Sequence, residues 1–132
     1  MQELIIDRNV WLRGEEADAD EKVDEHSSFL YRPYDGKMCC VGIYLAACGV
    51  SKEELALKPT AVDVALSTVP SASWLLTVSG NTSLTAQKLY ELNDQLFDPC
   101  GENDTEGSLE KYRETEIAKE FLRHHVEVTF VN

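Results

Sequence analysis

The amino-acid sequence predicts an α+β fold: a small sheet of terminal strands packed with three to five helices around a buried central helix at residues 38–49. Three observations predict it. Met38-Cys39-Cys40-Val41-Gly42-Ile43-Tyr44-Leu45-Ala46-Ala47-Cys48-Gly49-Val50 is a run of thirteen uncharged residues in a chain of net charge −12, and a helix apolar on every side is packed on every side. The two ends have strand character, with Leu4-Ile5-Ile6 apolar and Val126-Glu127-Val128-Thr129 alternating at period two. Between them, Ala86, Leu89, Leu92 and Leu96 recur at spacings of three to four, the period of a helix with one buried face.

In chain order, Glu3–Ile6 is the first strand, and Asp7-Arg8-Asn9 is a turn after which Val10-Trp11-Leu12-Arg13 extends the strand or pairs with it. Glu15, Glu16, Asp18, Asp20, Glu21, Asp24 and Glu25 then set seven negative charges against Lys22 alone. Such density favours an exposed acidic loop at about 15–28. Phe29-Leu30-Tyr31 returns to apolar residues, and Arg32-Pro33-Tyr34-Asp35-Gly36 signals a turn. The central helix starts near Lys37 or Met38 and ends at Gly49, the residue type suited to the left-handed position past a helix C-terminus. Ser51-Lys52-Glu53-Glu54 has capping-box spacing and opens a short helix that Pro59 stops. Thr60–Thr68 reads as another short helix, Ser71–Val78 fits strand or helix, and Ser79-Gly80-Asn81 is a turn. Thr82 or Ser83 caps the helix that carries Ala86, Leu89, Leu92 and Leu96. A second acidic loop, rich in Gly and Asp, follows at about 98–107. Ser108 begins a helix with Leu109, Tyr112, Ile117, Phe121 and Leu122 as its apolar stripe; His124-His125 closes it ahead of the last strand.

A chain of 132 residues is one domain by length, 1–132, and buries roughly two-thirds of its unfolded surface. Twenty-four acidic residues against twelve basic ones create a field that repels nucleic-acid phosphates and anionic membranes and attracts basic protein surfaces. Direct nucleic-acid or membrane binding is therefore not expected, and a protein with a basic surface is. The uncharged run makes a helix about 20 Å long, short of the roughly 30 Å hydrocarbon core. Met1–Asp7 lacks the basic and apolar regions of a signal peptide. Cys39 and Cys40 are adjacent, and Cys48 lies too far along the same helix for a disulfide. Cysteine used as a small buried hydrophobe suits a reducing compartment, so a cytoplasmic location is expected.

Two groups of residues point to chemistry. Cys39 and Cys40 stand at the N-terminus of the central helix, where the dipole and open N–H groups lower a thiol pKa. The run Asp35-Gly36-Lys37-Met38-Cys39-Cys40-Val41-Gly42, followed by a helix and Gly49-Val50-Ser51, resembles the start of papain-like and bacteriocin-processing peptidases. That likeness implies His124 or His125 as the base and Asn93 or Asp94 as its orienting group. The pattern departs in two respects: no glutamine precedes the cysteine to form an oxyanion hole, and the Asn or Asp comes before the His. Core-filling cysteines and helix-capping histidines account for the same residues. Metal-ligand spacings, a calcium loop and a phosphate-cradling glycine loop are lacking, so neither metal nor cofactor is expected. Trp11 beside Arg13 is an interface pair or, more commonly, a core residue. Arg8, Arg13 and Arg32 are the early cations that an anionic small molecule would need.

The second group is the acidity. Glu15, Glu16, Asp18, Asp20, Asp24, Asp98, Glu102 and Asp104, with Glu110, Glu114, Glu116 and Glu120 on the last helix, form a negative face. Spaced carboxylates on a scaffold imitate duplex phosphates in a basic groove, which reads backbone charge largely without regard to sequence; they also simply keep a protein soluble. The segments Met38-Cys39-Cys40-Val41-Gly42 to Ala47-Cys48-Gly49-Val50, Leu92-Asn93-Asp94, and Arg113-Glu114 to Ile117-Ala118-Lys119-Glu120-Phe121 with the terminal strand resemble a group of small uncharacterised phage, prophage and proteobacterial proteins. The resemblance implies a mobile-element setting, in which small acidic proteins often inhibit host defence or nucleic-acid enzymes. The expected function is a protein-binding inhibitor, in concrete form an anti-CRISPR or other anti-defence protein that occupies a basic nucleic-acid-binding surface. The alternatives are a cysteine-dependent hydrolase and a small-molecule-sequestering protein.

Overall fold

The computed structural model describes residues 2–12, 30–33, 36–56, 58, 60–64, 69–94 and 106–132, without the side chains of Asp63, Asp94 and residues 106–110. Gln2–Asp7 forms β1 and Val126–Val131 forms β2, and these terminal segments pair in parallel, from Gln2 opposite Val126 to Asp7 opposite Val131. Side chains alternate across a strand, so Leu4, Ile6 and Val126 enter the core while Glu3, Ile5, Glu127 and Thr129 face solvent. The turn expected at Asp7-Arg8-Asn9 falls one residue later, at Arg8-Asn9-Val10, because Asp7 still belongs to β1; it is closed by Asn9 N–H donating to the Asp7 carboxylate at 2.9 Å and Val10 N–H donating to the Asp7 carbonyl at 3.0 Å.

Beyond that turn the chain does not pair with β1. Val10 and Leu12 instead bracket Met38: Met38 N–H donates to Val10 C=O at 2.8 Å and Leu12 N–H to Met38 C=O at 2.7 Å. This bridge holds Met38 extended, which is why the central helix, α1 (Cys40–Ala47), begins later than the uncharged run does. Cys39 is its N-cap, with its sulfur accepting from Gly42 N–H at 3.4 Å. Gly49 lies at φ +101, with Gly49 N–H on Ala46 C=O and Val50 N–H on Leu45 C=O, both at 3.0 Å. That is the Schellman ending expected of a glycine there. Gly42 is required for a different reason: a Cβ on it would lie 1.8 Å from the Leu30 carbonyl oxygen, so the backbone of 30 runs directly against the helix.

Ser51 caps α2 (Lys52–Leu55) by accepting from Glu54 N–H at 3.3 Å. Two expectations shorten or change type. The helix read at 60–68 is described as a single 3₁₀ turn, Ala61–Asp63, and the ambiguous 71–78 segment holds a 3₁₀ helix at Pro70–Leu75. Ser83 caps α3 (Leu84–Asp94), accepting from Ala86 N–H at 3.1 Å, and Ala86, Leu89 and Leu92 are buried as the spacing predicts. Leu96 lies outside the described residues.

The last helix, α4 (Glu106–Leu122), starts two residues before Ser108. Its inward face is Arg113, Ile117, Glu120 and Phe121, whereas Tyr112 and Leu122 of the predicted stripe are half exposed. At 3.6 residues per turn, Leu122 and Tyr112 point well away from Ile117; the charged residues buried in their place close the stripe. The assembled fold is α+β, a two-stranded parallel sheet with helices around it, and its buried cluster runs from Leu4 and Ile6 through Trp11, α1, Leu75 and Leu89 to Ile117 and Phe121.

Asn93, fully buried on α3, joins three parts of this cluster. Its Oδ1 accepts from Trp11 Nε1 at 2.6 Å and from Cys40 N–H at 3.0 Å, and its Nδ2 donates to Leu12 C=O at 2.8 Å. Asn93→Ala removes that amide from two buried donors and one buried acceptor. At about 1–3 kcal/mol per buried group left without a partner, urea denaturation should show a loss of about 3–5 kcal/mol. A loss below about 1 kcal/mol would mean water replaces the amide.

Candidate functional site

The residues chosen for partner binding, Glu15, Glu16, Asp18, Asp20, Asp24, Asp98, Glu102 and Asp104, all lie outside the described residues, as does Arg13. The thiols and imidazoles considered for nucleophilic catalysis are described, and no hydrogen bond joins Cys39 or Cys40 to His124 or His125. Cys39 and Cys40 have no exposed surface. Besides the Cys39 cap, the Cys40 thiol lies 3.9 Å from Leu89 C=O. Asn93 holds the backbone of the same helix start instead of an imidazole. Asp94 is the last residue of α3, and its side chain lies outside the described residues.

His124 is placed by aromatic packing. Its ring stacks on Trp74 with centroids 4.2 Å apart and planes 8° from parallel, and its Nε2 is 3.2 Å from Thr85 Oγ1. Trp74 Nε1 donates to the Tyr44 hydroxyl at 3.1 Å, and that hydroxyl donates to Ser71 C=O at 2.7 Å. Phe121 meets Tyr44 at 5.4 Å and Trp74 edge-on at 5.8 Å. Burial pushes the Tyr44 phenol up to about 12, against the hydrogen bond from Trp74 and with the help of neighbouring Cys48. Burial also lowers the His124 pKa, opposed by Glu120 and reinforced by His125 and Arg123. His125 is exposed at φ +63, the left-handed residue of the turn between α4 and β2.

Sequence reasoning missed a concave surface on the opposite side of α4. A groove of about 530 Å³ runs between this helix and β2, lined by Ala118, Leu122, Val128 and Phe130, with Lys111, Glu114, Lys119 and Glu127 around them. Arg8 contacts two of the lining residues, Glu114 and Phe130. Its Nε and Nη2 donate to both Glu114 oxygens at 2.8 and 2.7 Å, and its guanidinium lies 5.7 Å from the Phe130 ring centre. This bidentate pairing joins residues far apart in sequence, so no local pattern announces it. Leu122, which the apolar stripe of the last helix places in the core, is half exposed and lines this groove. Among the described residues there is no group of three or more His, Cys, Asp or Glu side chains placed to hold a metal ion. No described helix is long and apolar enough to cross a membrane.

Comparison with known proteins gave no matching family model, no matching curated protein and no matching solved structure.

Two measurements follow from this geometry. Native alkylation mapped by mass spectrometry should label Cys39 and Cys40 at least about 100-fold more slowly than half-buried Cys48, the factor an opening of roughly 3 kcal/mol imposes. Equal rates would put the two thiols at the surface. For His124, the folded state resists protonation, so its share of stability is complete above the unfolded pKa near 6.5. That share declines as pH falls from there toward the lowered folded value. His124→Phe keeps the stack and removes the titration. The difference in unfolding free energy between the two proteins should therefore change between pH 7 and 5; a constant difference would show that the ring titrates alike folded and unfolded.

Proposed function

We propose that this protein is a small acidic inhibitor that binds another protein through a basic, nucleic-acid-reading surface of that partner, in the manner of an anti-CRISPR or other anti-defence protein. The observation that carries the reading is the net charge of −12, combined with how the described cations are used. Arg8, Lys119 and Arg123 are in ion pairs with Glu114, Glu116 and Glu120, while Arg32 and Arg113 are buried. Arg32 and Arg113 are thus withdrawn from the surface and Lys119 and Arg123 are each paired there with a carboxylate, while Glu3, Glu53, Glu54, Glu91 and Glu127 remain exposed. Such a field raises the encounter rate with a basic groove and lowers it with nucleic acid.

A cysteine-dependent hydrolase draws no support from thiols closed to solvent and a histidine stacked on Trp74. Sequestration of an anionic small molecule draws little from Arg8 and Arg32, one paired and one buried.

The test is a charge-neutralised protein carrying Glu15→Gln, Glu16→Gln, Asp18→Asn, Asp20→Asn and Asp24→Asn together. Partner capture from a host lysate, released by raised salt for the parent protein, should be lost in this variant. The melting temperature should be unchanged or higher, since self-repulsion falls. Capture that persists in the variant, or survives high salt, would overturn the reading.

A further inference from the structure

The ladder between the strands leaves one edge of β2 open. Gln2 N–H donates to His125 C=O at 3.1 Å and Arg8 N–H to Val131 C=O at 2.9 Å. With the parallel register, these bonds turn the odd-numbered carbonyls of β2 toward β1. Val126, Val128 and Phe130 therefore direct their N–H and C=O groups to the outer edge, where none has a backbone partner among the described residues. Natural sheets guard such an edge with lysine, proline or a bulge. Here the six residues Val126–Val131 carry no proline, and Glu127 is their one charge. The groove between β2 and α4 lies along this edge and is floored by Val128, Phe130, Ala118 and Leu122.

We propose that a second copy of this chain occupies the edge, with the two β2 strands pairing antiparallel about a two-fold axis at Val128 to make a continuous four-stranded sheet. The sequence of the strand is complementary to itself in this register. Val128 faces its own copy and Val126 faces Phe130, so that face of the paired strands is apolar throughout. On the solvent side Glu127 faces Thr129 twice. The register centred on residue 127 would set Glu127 against Glu127, a like-charge pair that sheets disfavour. The groove rim mixes Lys111 and Lys119 with Glu114 and Glu127, which gives a strongly charged foreign peptide no preference. The opposing force is the net charge of −12 on each copy, so pairing strengthens as salt screens it. Salt weakens the partner binding proposed above, and the two readings fail independently.

Sedimentation equilibrium or light scattering on the full chain, over roughly 10–500 μM and at low and high salt, should show a monomer of 14.8 kDa moving to twice that mass, more readily in high salt. Thr129 is exposed, so its substitutions leave the monomer folded. Thr129→Lys places a lysine opposite Glu127 at both symmetry-related positions and should tighten the dimer about 2- to 30-fold; Thr129→Glu should loosen it by a similar factor. Val128→Pro removes an N–H that β1 does not use and should leave a monomer with unchanged circular dichroism. A protein monomeric at every concentration and salt overturns the proposal. So does a dimer indifferent to Thr129, or one that Thr129→Lys weakens, as pairing about residue 129 would require.

Discussion

The amide of Asn93 is the point on which the arrangement of this core depends. A buried amide has an acceptor and two donors to satisfy, and here it satisfies them on the Trp11 indole, the first turn of α1 and the carbonyl of Leu12. Those contacts fix where the segment after β1 lies against the central helix and how far α3 sits from both. Trp11 then packs 5.1 Å from Phe130, so the same amide indirectly sets the height of β2. A hydrophobic core alone tolerates many packings of similar energy; one satisfied polar group at its centre admits far fewer.

Around that centre the charges are organised by depth. The Arg8–Glu114 pair ties the turn after β1 to the middle of α4, and buried Arg113 and Glu120 share the inward face of α4 with Ile117 and Phe121. Arg32, Arg113 and Glu120 are the buried charges among the described residues, and Lys119 and Arg123 pair with carboxylates at the surface.

The parts of the fold legible in the sequence were those with a local physical cause. An uncharged run must be buried, Gly49 supplies a left-handed backbone, Ser51 and Ser83 offer cap oxygens, and β2 alternates. The illegible parts depend on long-range partners. Nothing near Met38 indicates that Val10 and Leu12 hold it extended and delay α1 to Cys40. Arg113 and Glu120 look like surface residues until their surroundings are known, so the stripe of α4 was drawn through Tyr112 and Leu122 instead. For the candidate site, the thiols and histidines were correctly placed at helix ends, but proximity in space could not be read from spacing. The groove beside β2 was invisible because its walls come from an element edge and a helix flank.

The two strands also have a bearing on how the chain is made. Gln2 pairs with Val126 and Asp7 with Val131, so β1 leaves the ribosome long before the strand that completes it exists. Until then Leu4 and Ile6 have no sheet to belong to, and a segment rich in isoleucine waits unpaired while almost every other element is synthesised. Native contacts of such long range close slowly because a large loop must be ordered first. The sheet of the nascent chain therefore closes only once β2 has emerged, and loss of β2 would leave α1 and α3 with one side of their core uncovered.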